Sequence, residues 1–157
     1  MKFNERATIE NHIIKFIKDK LGFEYVEARE FAKLRGLESE YLISSQLLDA
    51  IKRINKVDDD VAKSVAREVK KIDSNQDFLD KLRNGINLKN PITGLFRDYK
   101  IIDFDNIENN QFVITNQFYF EGNSENIRAD VVVFVNGLPL VVIEAKSPTA
   151  SETVSFE

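Results

Sequence analysis

Two apolar runs meet at an Asn-Gly pair near the end of the sequence. Residues 131–135 and 138–143 flank Asn136-Gly137, and this dipeptide is a strong signal for a β-hairpin turn. Successive residues in both runs are apolar, which is typical of strands buried on both faces. The pattern predicts two antiparallel neighbouring strands in the centre of a sheet that is covered by helices.

Upstream of this hairpin the hydrophobic period is helical. Residues 1–90 are predicted to be mainly helical and residues 96–146 mainly strands. A first helix is predicted over residues 6–21, with Gly22 placed to end it. We expect this helix to lie beside the hairpin, and its apolar stripe consists of Ile9, Ile13, Ile14, Ile17 and Leu21.

Capping residues mark the later helices. Ser44 or Ser45 can cap a second helix. A third helix begins at the acidic run that starts with Asp58, where negative charge suits the helix dipole. Ser74 can cap a fourth through its hydroxyl oxygen. Residues 84–94 contain proline and glycines, so we expect a connecting loop there.

Composition limits the classes of protein to which the chain can belong. Its 157 residues are 43% hydrophobic and 31% charged, as expected for one globular domain. The sequence has no apolar run of membrane-spanning length and no cysteine, which excludes disulfides and is compatible with a cytoplasmic location. The net charge of −4 argues against a domain that grips DNA unaided.

Three charged residues flank the predicted hairpin, although charges are expensive inside a sheet. Asp130 opens the first strand, and Glu144 and Lys146 close the second. Two carboxylates can share Mg²⁺, which prefers oxygen ligands, and the backbone carbonyl of Ala145 can add another. The lysine can neutralise charge on a phosphate or orient an attacking water. The structural alternative is a buried ion-pair network.

The hairpin register decides whether the two carboxylates can meet. A two-residue loop made of the Asn-Gly pair would put Asp130 and Glu144 on opposite faces of the sheet. A three-residue turn beginning at Val135 sets Asp130 opposite Val142 and makes Glu144 its diagonal neighbour on the same face. We therefore expect the three-residue turn, with both carboxylates close enough to hold one divalent ion.

Glu10 is a candidate fourth site residue. It lies about 100° around the first helix from Ile9, in the middle of the apolar stripe. A carboxylate that faces the core needs a partner such as a metal ion, a lysine or a water network. Alternatively, the helix is less buried than its stripe suggests. His12 falls on the polar side at about 300° and is expected to be exposed.

Residues 127–146 resemble the N-terminal nuclease region of type I restriction enzyme R subunits, which belongs to the PD-(D/E)xK nuclease superfamily. They read IRADVVVFVNGLPLVVIEAK. The stretches at 22–26, 99–105 and 116–117 also fit that family. Ala129 stands where the superfamily motif has proline. The resemblance implies an α/β, restriction-endonuclease-like fold with a central mixed sheet flanked by helices.

The same resemblance implies a function and a set of partners. The chain would be the nuclease module of a type I site-specific deoxyribonuclease and would cleave DNA with Mg²⁺. Asp130, Glu144 and the Ala145 carbonyl would hold the metal, and Lys146 would be catalytic. ATP would serve only motor domains that follow in the family, so residues 1–157 would form one nuclease domain of a longer protein. DNA and the modification and specificity subunits would be its partners, with no membrane involved.

A second class of function remains open. The chain can be a non-catalytic domain that keeps a nuclease fold in order to hold partner subunits. Convergence of the Asp130 and Glu144 carboxylates beside open space would discriminate between the two. The roles of Gln117 and Arg128, which lie near the candidate site in the sequence, are left open.

Overall fold

The computed structural model describes residues 5–122 and 125–145. Within them the helices are α1 (Glu5–Leu21), α2 (Ala28–Arg35), α3 (Ser44–Asn55), α4 (Asp59–Lys70) and α5 (Asn75–Asn84). The strands are β1 (Glu24–Tyr25), β2 (Ile86–Lys89), β3 (Phe96–Tyr99), β4 (Phe112–Glu121), β5 (Asn126–Val135) and β6 (Leu138–Ile143). A 3-10 turn, Ile107–Asn109, precedes β4.

Local sequence signals set the ends of several helices as predicted. Gly22 follows the last residue of α1 with a φ of 72°, a left-handed conformation that favours glycine. The Asp58 side chain accepts a hydrogen bond from the Val61 N–H at the start of α4. Ser74 caps α5 in the same way by accepting from the Asp77 N–H. Each cap satisfies a helix N–H that has no intrahelical acceptor.

α3 begins differently from the prediction. Its N-cap residue is Ile43, which offers no side-chain cap, so the assignment of Ser44 or Ser45 as the cap is wrong. The N–H of Ile43 donates instead to the carbonyl of Gly137, at 2.9 Å. A tertiary contact with the hairpin turn therefore sets this end of the helix.

α2 was not predicted from the sequence. Half of its eight residues are charged, and its buried side chains are Phe31 and Arg35. So short a helix with so narrow a buried face gives a weak periodic signal. Packing of Phe31 against the sheet, rather than local propensity, stabilises it.

The main sheet has the strand order β1-β4-β5-β6. β1 runs parallel to β4, whereas β4–β5 and β5–β6 are antiparallel, so the sheet is mixed. The pairing of β5 with β6 confirms that the two apolar runs are antiparallel neighbours. The chain has the predicted α/β architecture, a mixed sheet flanked by helices, consistent with a restriction-endonuclease-like fold.

α1 and α2 cover opposite faces of this sheet, as expected. Ile14 and Ile17 of α1 pack with Val131, and Phe31 of α2 packs with Phe134 at 4.7 Å between ring centroids. The apolar stripe of α1 is buried only in its middle, because Leu21 is 56% exposed. α3, α4 and the β2–β3 pair form a further cluster around the hairpin end.

Among residues 5–122 and 125–145, we find no helix both long and apolar enough to cross a membrane.

β6 is an edge strand of the described sheet, which corrects the prediction that both hairpin strands are central. Val141 and Val142 are 47% and 60% exposed. Pro139 was the overlooked signal in the sequence, because proline lacks the N–H that a central strand needs and is confined largely to edges. Continuous apolar character alone did not distinguish the edge from the centre.

The hairpin turn has two residues, so the predicted three-residue turn is wrong. Val135 pairs with Leu138, and Asn136 and Gly137 between them have φ values of 53° and 78°. Two positive φ values suit the twist of a two-residue hairpin. A β-bulge then adds one residue to β6 at Leu140 and shifts the register beyond it.

The segment expected to be a loop over residues 84–94 contains β2. β2 pairs antiparallel with β3, and the buried Ile86 and Tyr99 form one end of the ladder. The carbonyl oxygen of the Asn90 side chain accepts from the N–H groups of Ile92 and Thr93 and closes the turn. Only the turn, not the whole segment, is loop.

Gly137→Ala should destabilise the fold far more than Gly94→Ala. Both glycines have a left-handed φ, 78° and 71°, but a Cβ at Gly137 would overlap the carbonyl oxygen of Ile43, whereas one at Gly94 meets open space. We expect a loss of roughly 1 kcal/mol at Gly94 from backbone strain and about 3 kcal/mol at Gly137 with overpacking added. Urea unfolding of both variants checks this, and equal losses would contradict the role of the turn–α3 contact.

Candidate active site

Asp130 lies in the interior of β5 and is almost fully buried, with 1% of its surface exposed. The expectation that it opens the strand is wrong, because β5 begins at Asn126 and pairs with β4 along its whole length. A carboxylate at this depth requires polar partners.

β6 brings Glu144 to the same level of the sheet. Val131 pairs with Ile143, so extending this register by one residue sets Glu144 opposite Asp130, although β6 itself ends at Ile143. Val142, the predicted partner of Asp130, pairs instead with Val132, two residues further along β5. Glu144 therefore follows β6 at the level of Asp130, rather than diagonal to it as expected.

The main chain after β6 is tied directly to Asp130. The N–H of Ala145 donates to Asp130 Oδ2 at 2.8 Å, and Ala145 is 8% exposed. Glu144, one residue earlier, is exposed to solvent. The arrangement combines a buried, oriented carboxylate with an accessible one. Lys146 lies outside the described residues, so its role stays a prediction.

Glu10 of α1 reaches the same part of the sheet. It is 6% exposed, and Gln117 Nε2 donates to its Oε2 at 2.8 Å. On β4, Gln117 lies between the residues that pair with Val131 and Ala129, which sets it opposite Asp130. Glu10 is therefore buried, as the helical wheel predicted, and its partners include an amide that the sequence did not identify.

Gln117, whose role the sequence left open, has a left-handed backbone with a φ of 50°. This is uncommon for a residue other than glycine. The only sequence signal was that the apolar alternation of the β4 segment breaks at the two amides Asn116 and Gln117. That break does not by itself identify the contacts of either side chain.

Tyr25 of β1 holds the neighbouring amide. Its hydroxyl donates to Asn116 Oδ1 at 3.0 Å. Burial raises the pKa of the Tyr25 phenol, and the charge of Glu27 raises it further. The phenol therefore keeps its proton at neutral pH and remains a donor to Asn116.

The acidic residues provide a donor set suited to a hard cation. Among the side chains of the described residues, no group of three or more His, Cys, Asp or Glu is arranged to hold a metal ion. Mg²⁺ is commonly held by only one or two carboxylates and keeps several waters. The all-oxygen pair of Asp130 and Glu144 fits that requirement in its chemistry.

Two other polar residues that the sequence analysis considered are exposed to solvent. His12 is exposed on α1, as predicted. Arg128 of β5 is also exposed and pairs across the sheet with Tyr119 of β4. Arg128 is two residues from Asp130 and accessible to solvent, whereas His12 follows Glu10 by two residues on a different side of the helix.

Asp130→Asn should unfold at nearly the wild-type urea concentration, whereas Asp130→Ala should be less stable by about 1–3 kcal/mol. The asparagine carbonyl can still accept from the Ala145 N–H, but alanine leaves that buried donor unsatisfied. Equilibrium urea unfolding of the two variants measures the difference. Equal stabilities would show that this hydrogen bond does not hold the end of β6.

Comparison with known proteins identifies the family. Residues 2–156 match the family described as type I restriction enzyme R protein N terminus. The chain is 33% identical over 167 residues to the putative type I restriction enzyme MjaIXP endonuclease subunit of Methanocaldococcus jannaschii, covering 97% of this chain and 16% of that protein.

A second relative comes from a different organism. The type I restriction enzyme HindI endonuclease subunit of Haemophilus influenzae is 32% identical over 145 residues, which covers 82% of this chain and 14% of that protein. The chain thus spans less than a fifth of the length of these relatives. With the family match over nearly every residue, the chain belongs to the family of type I restriction enzyme R protein N-terminal regions.

Proposed function

We propose that this chain is the nuclease module of a type I restriction enzyme and hydrolyses DNA phosphodiester bonds with Mg²⁺ at a PD-(D/E)xK site. The observation that carries the proposal is the position of Glu144, just beyond β6, at the level of Asp130 on β5, next to the hydrogen bond from the Ala145 N–H to Asp130. Family membership adds support, because the relatives are named endonuclease subunits.

Each residue has a distinct part in the proposed chemistry. Asp130 and Glu144 bind the cation, and the Ala145 carbonyl supplies a further oxygen ligand. Bound Mg²⁺ supplies polarisation of the phosphoryl oxygen and lowers the pKa of a coordinated water. Lys146 stabilises the charge that develops on the phosphate. Glu10 contributes an additional carboxylate beside Asp130.

Solvent exposure suits this division of roles. Asp130 is buried and held by a main-chain donor, so it can keep one orientation as substrate arrives. Glu144 is exposed and can face a phosphate from outside. A polyanion as large as duplex DNA requires such an accessible side, because it cannot enter a closed cavity.

The wider setting is also proposed. The relatives are several times longer than this chain, and we assign ATP hydrolysis and the main grip on DNA to the parts of the R subunit that lie outside it. The modification and specificity subunits of the complex would supply site recognition. The complex would act in the cytoplasm, where DNA and ATP are both present.

Replacing site residues in the intact enzyme should separate cutting from ATP use. We expect Asp130→Asn, Glu144→Gln and Lys146→Ala each to lower DNA cleavage by about 100-fold or more, because each removes a metal ligand or a charge-stabilising group. ATP hydrolysis should stay close to wild type. Plasmid cleavage and phosphate release by the reconstituted complex measure the two activities.

Lys33→Ala is a matched control for Lys146→Ala. Lys33 is an exposed lysine of α2 that pairs with Glu30. It should cleave like wild type. Normal cleavage by all three site variants would instead favour a non-catalytic domain that holds partner subunits.

The isolated chain should cleave DNA weakly or not detectably. Its net charge of −4 gives little attraction to a polyanion, and non-specific affinity for DNA comes mainly from neutralising phosphates. Plasmid nicking by the isolated chain, compared with the full complex at equal Mg²⁺, tests this. Efficient cleavage at about 0.15 M salt would show a DNA-binding surface that its net charge does not indicate.

A further inference from the structure

Gln117 and Glu10 form a polar contact between a helix and a strand far apart in the sequence. Gln117 Nε2 donates to Glu10 Oε2 at 2.8 Å, and Glu10 is 6% exposed. An amide donor gives a buried carboxylate a fixed direction as well as a favourable contact. This bond therefore orients the Glu10 carboxylate relative to the sheet.

The backbone of β4 is bent to make the contact possible. Asn116 contacts Tyr25, which belongs to the cluster under α1, and Phe118 packs with Phe31 of α2 on the other face. In a regular strand these two residues would share a face, because side chains alternate. The left-handed φ of 50° at Gln117 produces the change of face.

Because of this bend, two successive residues of β4 contact α1 and β1. Asn116 and Gln117 contact Tyr25 and Glu10 respectively, although regular alternation would turn Gln117 toward α2. A left-handed conformation is unfavourable for glutamine, and such positions persist where surrounding contacts require them. The strained residue is also the one that faces Asp130 across the β4–β5 ladder.

We infer that Gln117 is a positioning residue that orients the Glu10 carboxylate next to the proposed metal-binding pair of Asp130 and Glu144. The inference rests on the proposed function. Side chains that hydrogen-bond to metal ligands orient them and tune their affinity, and their loss commonly lowers activity or metal affinity about 10- to 100-fold. The hydrogen bond from Gln117 holds the Glu10 carboxylate in one direction.

The test uses the full-length R subunit assembled with its modification and specificity subunits. Gln117→Gly removes the amide and also relieves the left-handed strain, so the fold is retained while the contact is lost. Gln117→Glu keeps the size and reach of the side chain but sets a carboxylate against Glu10. Cleavage rate at saturating Mg²⁺, the Mg²⁺ concentration for half-maximal cleavage, ATP hydrolysis and thermal melting are measured for each variant.

We expect both variants to cleave at least about tenfold more slowly or to need severalfold more Mg²⁺, with ATP hydrolysis unchanged. The melting temperature of Gln117→Gly should not fall. Asn87→Ala is the matched control, because Asn87 Nδ2 donates to the Asp98 carboxylate on the separate β2–β3 pair. It loses the same kind of bond away from the site and should cleave with wild-type Mg²⁺ dependence.

Asp130→Asn in the same experiment separates the two levels of inference. If Asp130→Asn is inactive but the Gln117 variants keep the wild-type cleavage rate and Mg²⁺ dependence, the positioning role is overturned and the proposed nuclease activity stands. Normal cleavage by Asp130→Asn would overturn the nuclease proposal itself. The Gln117 variants could instead cleave more slowly only because they are less stable, with a lower melting temperature and an unchanged Mg²⁺ dependence. That result would make Gln117 a structural residue and would also overturn the inference.

Discussion

The antiparallel pairing of β4 with β5 is the constraint on which the rest of the structure depends. Its ladder runs from Phe112 opposite Val135 to Glu121 opposite Asn126. One strand carries Gln117 and the other carries Asp130, so the register of this ladder sets the two residues at the same level of the sheet. β1 joins the outer side of β4 and β6 the outer side of β5. Both flanking strands therefore take their positions from this pair.

The hairpin turn is held by tertiary contacts as well as by its own geometry. Asn136 is completely buried, yet its side chain donates to the Ile101 carbonyl and to Asn110 and accepts from the Gln111 N–H. Gly137 packs directly against the start of α3. These contacts leave no freedom to lengthen the turn, so its two-residue form is fixed.

A fixed two-residue turn explains why β6 needs a bulge. Without the extra residue at Leu140, Asp130 would face Ile143, and Glu144 would lie on the opposite side of the sheet. The bulge restores the offset that brings Glu144 level with Asp130. The sequence predicted that the hairpin needs one extra residue to bring the two carboxylates to the same face, but it placed that residue in the turn. The position of the bulge could not be predicted, because it depends on the contacts of the turn with α3.

The sequence predicted those parts of the fold that depend on local chemistry. Caps at Asp58 and Ser74, the stop at Gly22 and the apolar pairing of β5 with β6 were all correct. α2 and β2 were not predicted, because each is stabilised by packing against elements distant in sequence. The edge position of β6 was not predicted, although Pro139 in the sequence indicated it. For the site, Asp130, Glu144 and Glu10 were identified as buried or sheet-end charges, whereas the contact from Gln117 required the backbone bend to be known.

Burial of the Asp130 and Glu10 carboxylates carries a desolvation cost that polar or charged partners must offset. The main-chain N–H of Ala145 and the amide of Gln117 direct these carboxylates. A fold selected only for stability would gain by replacing such groups with apolar residues of similar size. The fold instead keeps an oriented carboxylate on β5, another on α1 and a left-handed residue, Gln117, on β4. Orienting negative charge, rather than adding stability, is the role that these contacts have in the proposed site.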